Sequence, residues 1–142
     1  MSPVFHARDV FAPVAAHLHE GGALEDVGPE APTDSLAALA LAEARVEGAA
    51  VVGRVLAVDA FGNATTSIPE AHARRLRASE RVTVEAGGAR FVLPFCRTYG
   101  EVAAGRPLVL VGSAGFVEIA VNRGSAAERL GLASGQEIRL SP

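Results

Sequence analysis

The spacing of apolar positions changes once along the chain, and the change divides it. From Asp9 to about Glu20, Val10, Val14 and Leu18 recur at helical spacing, with Phe11 and Ala15 alongside. This predicts an amphipathic helix capped by Asp9, with Pro13 in its first turn and Gly21-Gly22 as its stop. Ahead of it, Pro3 to Phe5 reads as a strand-like stub, so residues 1–22 look like the last strand and helix of an α/β layer. From Ala23 to Gly48 the period is lost among Gly, Pro, Asp, Glu and Ala. Residues 23–50 are therefore expected to be a linker, with one short helical turn near Leu36 to Leu41.

Beyond about Val51 the period becomes two. Val51 to Val58, Arg81 to Glu85, Ala89 to Phe95, Pro107 to Gly112, Phe116 to Val121 and Gln136 to Leu140 are β-rich runs between Gly, Pro and Asn signals. Gly87-Gly88 marks a hairpin turn. Ser125 and Glu128, at capping-box spacing, predict a helix from Ser125 to Leu130. The expected fold is mainly β: a small barrel or sandwich over residues 51–142, preceded by the strand-helix remnant.

Composition narrows the function classes. The chain has 142 residues, 49% of them hydrophobic, enough for one core. It carries no run of about eighteen apolar residues and no basic-then-apolar leader, so the expectation is a cytoplasmic protein with no membrane partner. The net charge of -3, from 13 basic and 16 acidic residues, argues against a nucleic-acid partner. Every basic residue is arginine, and the short cluster Arg74, Arg75, Arg77 and Arg81 reads as a solvated face. The lone Cys96, within the apolar run from Arg90, is expected to be a buried, inert thiol.

Three segments could carry chemistry. Asp59-Ala-Phe-Gly-Asn63 can be a plain turn, with Gly62 supplying backbone freedom and Asp59 and Asn63 bonding their own main chain. It can also offer the Asp59 carboxylate to an ammonium group, the Asn63 amide to a purine edge, and Phe61 as an aromatic cover, although core packing is the commoner fate of a Phe. Gly112-Ser113-Ala114-Gly115 is a hairpin turn that lets a ligand approach backbone closely, with Ser113 supplying a hydroxyl. Its glycine spacing, with no lysine following, is wrong for a phosphate loop. Glu118 stands within the apolar strand that follows, where burial requires a partner; backbone or an arginine is expected. Finally, His6 before the first helix reads as a surface or capping residue, yet near-neutral titration would let it orient or deprotonate water. His17, His19 and His72 read as solvent-facing.

Taken together, residues 5–18 (Phe-His-Ala-Arg-Asp-Val-Phe-Ala-Pro-Val-Ala-Ala-His-Leu), 58–63 (Val-Asp-Ala-Phe-Gly-Asn) and 112–128 (from Gly-Ser-Ala-Gly-Phe-Val-Glu) resemble, in order, the motifs of the S-adenosyl-L-methionine hydroxide adenosyltransferases, relatives of the fluorinases and chlorinases. The similarity runs from Phe5 to about Leu140, and Tyr99 matches a family aromatic. It implies hydrolysis of S-adenosyl-L-methionine to adenosine and L-methionine, by transfer of the adenosyl group to water-derived hydroxide. It also implies no metal or other cofactor, and a homotrimer with its sites between subunits. Residues 1–22 would then end the family's amino-terminal α/β domain, and 51–142 would be its carboxy-terminal adenosine- and methionine-binding domain.

By the same match Phe5 lines the pocket and His6 belongs to an Asp-Arg-His set that handles water. Asp59 and Ser113 hold the methionine end, Asn63 reads adenine, Tyr99 stacks on it, and Val121 and Arg123 meet it mainly through backbone; Phe61 remains a candidate substrate-binding residue as an aromatic cover. The Asp and Arg of that set are not among these residues, so the chain alone is expected to be inactive. The alternative is a non-catalytic adenosine-binding or oligomerisation module. A halogenase ranks below both, because halide enzymes carry a different set at Phe5 to Ala7. Ala7 where the family has Gly, Ser67 near its Thr-Asn-Ile, and Ser125 in place of Asn are mild departures.

Overall fold

The computed structural model describes residues 2–37, 43–77 and 79–142. The chain divides into two units, Met1–Leu39 and Ala40–Pro142.

In the first unit, a widened helical turn over Ala7–Phe11 runs into α1, Ala12–His19. The helix begins ahead of Asp9, which is therefore not its cap. The Asp9 carboxylate instead accepts from the Ser2 N–H at 2.8 Å and from the Arg8 guanidinium. Pro13 stands near the start of α1, where a missing N–H is harmless, and the preceding turn closes with the longer bond from Ala12 N–H to the Ala7 carbonyl. Gly21, at φ +89°, ends the helix as expected. The expected strand over Pro3–Phe5 is not formed: residues 3 and 4 lie in a bend, and among the described residues of the unit there is no strand to offer a ladder. Neither helical stretch contains a buried residue. Short turns at Leu24–Asp26 and Thr33–Ser35 follow. Of the turn expected over 36–41, residues 38–41 lie outside the described ones.

The second unit is one twisted sheet bent into a nearly closed barrel. Its strands are β1 (Arg45–Glu47), β2 (Ala50–Val58), β3 (Ala64–Pro69), β4 (Arg81–Ala86), β5 (Ala89–Pro94), β6 (Pro107–Val111), β7 (Phe116–Val121) and β8 (Glu137–Ser141), with helices α2 (Glu70–Arg77) and α3 (Ala126–Leu130). The order is β5-β4-β8-β2-β3-β7-β6, with β1 added to β2. A parallel bridge from Phe95 to Val109, with the Cys96 N–H donating to the Val109 carbonyl at 2.8 Å, brings the two ends together. The barrel is filled from one face of the longer strands: Val51, Val55, Ile68, Val82, Val84, Val109, Val117, Ile119, Ile138 and Leu140 are all buried there, with Leu76 of α2, whereas β1 is exposed throughout.

Two strands were not legible as such. β3 contains Thr65-Thr66-Ser67, too polar to read as core, yet Thr66 and Ser67 are buried. Their hydroxyls are satisfied: Thr66 donates to the Val117 carbonyl at 2.8 Å, and Ser67 accepts from the Arg54 N–H at 3.0 Å. β1 falls inside the expected linker, where its pairing with β2 overrides a weak local pattern.

The outer face of β6 and β7 carries a second apolar cluster, Leu108, Leu110 and Ala120, packed with Cys96 and Val102. The segment from Cys96 onward thus crosses that face, and it carries Tyr99. Cys96 is buried, and desolvation, followed by the nearby Glu101 charge, pushes its thiol pKa up. On α2, Arg74, Arg75 and Arg77 are exposed as expected, but His72 is only partly exposed and its Nδ1 is buried without a partner. No helix among the described residues is long and apolar enough to cross a membrane.

Candidate functional site

The β2–β3 turn is organised by one carboxylate. Asp59 Oδ1 accepts from the N–H groups of Phe61 and Asn63 at 2.9 and 2.8 Å, and Oδ2 accepts from Asn63 Nδ2 at 2.9 Å. Burial opposes ionisation of Asp59, but these bonds outweigh it and hold its pKa below the usual carboxylate range. Because a carboxylate only accepts, the Asn63 amide must turn its nitrogen toward Asp59. Its Oδ1 and second N–H then form a donor–acceptor pair for a ligand.

Gly62 is obligatory here. Its φ is +83°, a Cβ would lie 2.1 Å from Ser125 Oγ, and its carbonyl accepts from the Ala127 N–H at 2.9 Å. The turn is thereby pressed onto the start of α3. Ser125 caps that helix by accepting from the Glu128 N–H at 3.1 Å, and Gly131, at φ +66°, closes it.

A third segment comes from across the sheet. Tyr99 opens a short turn, Tyr99–Glu101, and its hydroxyl donates to Glu118 Oε1. Side chains alternate along β7, so the core takes Val117 and Ile119 while Glu118 emerges on the outer face beneath Tyr99. Its partner is this phenol, not the backbone or arginine expected. Burial first, then the bond to Glu118, pushes the Tyr99 pKa up to about 12. Asn122 Nδ2 donates to the Val102 carbonyl at 2.7 Å, tying the segment after Tyr99 to the end of β7.

These elements enclose a hollow of about 420 Å³ lined by Phe61, Asn63, Tyr99, Val121, Asn122, Arg123, Gly124 and Ser125. Sites for small organic ligands span about 300–1,000 Å³. Phe61 is 79% exposed, so it is free to cover a ligand and is not a core residue. Arg123 adopts φ +54°, a left-handed conformation that turns the chain from β7 toward α3.

Five of the expected site residues, Phe61, Asn63, Tyr99, Val121 and Arg123, thus line one hollow, while Asp59 and Ser113 do not. Asp59 stands behind Asn63, largely engaged by its own turn. Ser113 is exposed in the β6–β7 turn, which Gly115 closes by donating to the Gly112 carbonyl at 3.0 Å. A Cβ on Gly112 would lie 3.0 Å from Glu118 Oε2, so this turn borders the Tyr99–Glu118 pair. Phe5 and His6 belong to the first unit, at the start of its helix, and both are exposed. The Arg8 guanidinium lies 4.7 Å from the centre of the Phe5 ring. Sequence reasoning missed Asn122, Gly124 and Ser125 as lining residues. The capping pattern at Ser125 and the adjacent turn were visible, but nothing local shows that they face a cavity. Among the described residues, no three His, Cys, Asp or Glu side chains gather as a metal-ligand set.

The family of SAM hydroxide adenosyltransferase C-terminal domains matches residues 53–139, more than half the chain. The chain belongs to that family. Among its relatives, the (R)-S-adenosyl-L-methionine hydrolase of Thermus thermophilus is 51% identical over 136 residues, covering 96% of this chain and 48% of the relative. The enzyme of the same name from Salinispora tropica is 39% identical, covering 99% of this chain and 52% of its own length. The chain therefore spans about half the length of the curated relatives it matches. A crystal structure of an uncharacterised conserved protein from Thermotoga maritima superposes with a TM-score of 0.78 at 40% identity, over the whole of this chain and 54% of that one. A conserved hypothetical protein from Thermus thermophilus gives a TM-score of 0.65 at 50% identity, over 95% of this chain and 52% of the other. In this adenosyltransferase C-terminal domain, the hollow lies at the junction of the β2–β3 turn, the segment at Tyr99 and the start of α3, all within the matched residues.

Proposed function

We propose that this chain serves the hydrolysis of S-adenosyl-L-methionine to adenosine and L-methionine, and that it supplies the carboxy-terminal part of the site. The supporting observation is the hollow in which an aromatic side chain, Tyr99, a half-buried amide, Asn63, and the backbone of residues 121–125 converge. A flat heterocycle with a donor–acceptor edge suits that combination. Adenine lies between Phe61 and Tyr99, Asn63 reads its edge, and Val121 and Arg123 contact it mainly through backbone. Ser113 and Asp59 take the amino-acid end of the substrate, Asp59 through the lone pair its turn leaves unused. Phe5 lines the pocket and His6 handles the water.

The chemistry asks little of the protein beyond alignment. The carbon–sulfur bond breaks with its electron pair returning to sulfur, leaving a neutral thioether in methionine. Water forms the new carbon–oxygen bond and gives its proton to a base, the role assigned to His6. A sulfonium is a good leaving group, so holding oxygen opposite sulfur in a dehydrated site accounts for the acceleration. No metal or cofactor takes part, and the working form is a cytoplasmic homotrimer with sites between subunits.

The test compares this chain with a version extended by the half of the relatives that it does not match. Incubation with S-adenosyl-L-methionine and chromatography should detect adenosine from the extended protein and almost none from the 142-residue chain. An extended protein that leaves the substrate intact refutes the hydrolase reading. The span of only half the relatives' length favours a second reading, a binding or assembly module without catalysis. Calorimetry with adenosine separates its two forms, since no heat at millimolar ligand leaves assembly alone.

A further inference from the structure

Glu118 takes no direct role toward a ligand, yet among the described residues it is the one charged side chain that hydrogen-bonds Tyr99 at the wall of the hollow. The strand alternation of β7 brings it out on the Tyr99 side, Gly112 leaves room for its second oxygen, and the Asn122-to-Val102 bond holds the neighbouring chain in place. At 39% exposure the Tyr99 ring is not immobilised by packing alone. We propose that Glu118 is a positioning residue: by accepting a hydrogen bond from the Tyr99 hydroxyl it locks the phenol ring at the mouth of the hollow, setting a face for a flat aromatic ligand before that ligand arrives. The carboxylate acts through Tyr99 and does not touch the ligand. That the ligand is the adenine ring rests on the proposed function; the lock itself does not.

The composition makes the lock directly observable. Tyr99 is the only tyrosine and the chain has no tryptophan, so tyrosine absorbance and emission report this one ring. Other charged groups near the ring include Asp59, which also raises its pKa, Arg123, which lines the same hollow, and Glu101, which shares the turn of Tyr99 and pairs with Arg97. In the 142-residue chain, tyrosinate absorbance at about pH 11 should show wild-type Tyr99 mostly protonated, whereas Glu118→Gln should be more ionised, its pKa falling part of the way toward the ordinary value of about 10 because burial, the larger cause, remains. Circular dichroism at the same pH confirms that both proteins remain folded. Adenosine should quench Tyr99 emission by stacking. Glu118→Ala and Tyr99→Phe should each weaken adenosine binding by calorimetry about 3- to 10-fold, the range for one hydrogen bond. Glu118→Gln, which keeps an acceptor, should bind within about 2-fold of wild type, and the Tyr99→Phe/Glu118→Ala double variant should be no weaker than either single variant.

Equal ionisation of wild type and Glu118→Gln, or wild-type affinity in Glu118→Ala, overturns the lock. If adenosine leaves the wild-type emission and heat unchanged while the ionisation difference persists, the adenosine reading falls and the lock stands.

Discussion

The two units of this chain treat their apolar residues in opposite ways. In the barrel, Ile68, Ile119, Ile138 and Leu140 are fully buried, each on the inward face of a strand. In the amino-terminal unit, Phe5, Phe11, Leu18, Leu24 and Val27 are exposed, although Val10, Val14 and Leu18 have the spacing of a packing stripe. A sheet that curls on itself is its own partner, because opposite strands supply the apolar layer each one needs. A single amphipathic helix cannot do this, since its stripe is buried only by something else. Stability in this protein therefore resides in the barrel, and so does the hollow.

The contrast makes measurable predictions. The largest effect belongs to the barrel core: Ile119→Ala should lower unfolding free energy by about 2–5 kcal/mol in urea titrations, the range for large-to-small core changes. Phe11→Ala should shift the same titration by less than about 0.5 kcal/mol, as for an exposed residue. Equal losses would mean that the helix is integral to the cooperative core.

Next is the contact that shapes the hollow. Gly62→Ala should cost about 1–3 kcal/mol, from strain at positive φ and overlap with Ser125, and should weaken adenosine binding. Gly21→Ala also stands at positive φ but meets open space, so its smaller cost should leave barrel unfolding untouched.

Two pH effects follow. The Asp59 pKa is depressed, so its contribution is present above the ordinary carboxylate value and is lost as pH falls through the lower, folded value. The amide signals of Phe61 and Asn63 should therefore shift in acid below about pH 4, and Asp59→Ala should abolish that shift. The Tyr99 pKa is raised, so its contribution is complete below about pH 10 and is lost as pH climbs toward the folded value near 12. Tyr99→Phe should remove that alkaline loss from thermal melts.

The smallest effect lies on the outer surface of the barrel, where Glu47 pairs with Arg45 and Arg139. Despite two partners, Glu47→Ala should cost less than about 1 kcal/mol and should become undetectable at high salt.

Most strands and the start of α3 were readable because their cause is local: a period of two, Gly87-Gly88 at a hairpin, Ser125 three residues before Glu128. β3 was unreadable because Thr66 and Ser67 satisfy their hydroxyls on Val117 and Arg54, partners 51 and 13 residues away. The start of the first helix was misplaced because Asp9, a good cap by type, found Ser2 and Arg8 instead. The same division runs through the hollow. Asp59, Phe61 and Asn63 announce themselves in one short turn, whereas Asn122, Gly124 and Ser125 become lining residues only because Gly62 docks on α3.

Residue order alone settled the β character of the larger unit, its turns and caps, and the motifs that mark its family, since each depends on neighbours within a few positions. Folding in three dimensions settled which polar residues could be buried, that Glu118 would meet a phenol and not an arginine, and which chain segments would share a cavity. Those outcomes depend on partners distant in sequence, and no local pattern encodes the strand order that brings them together.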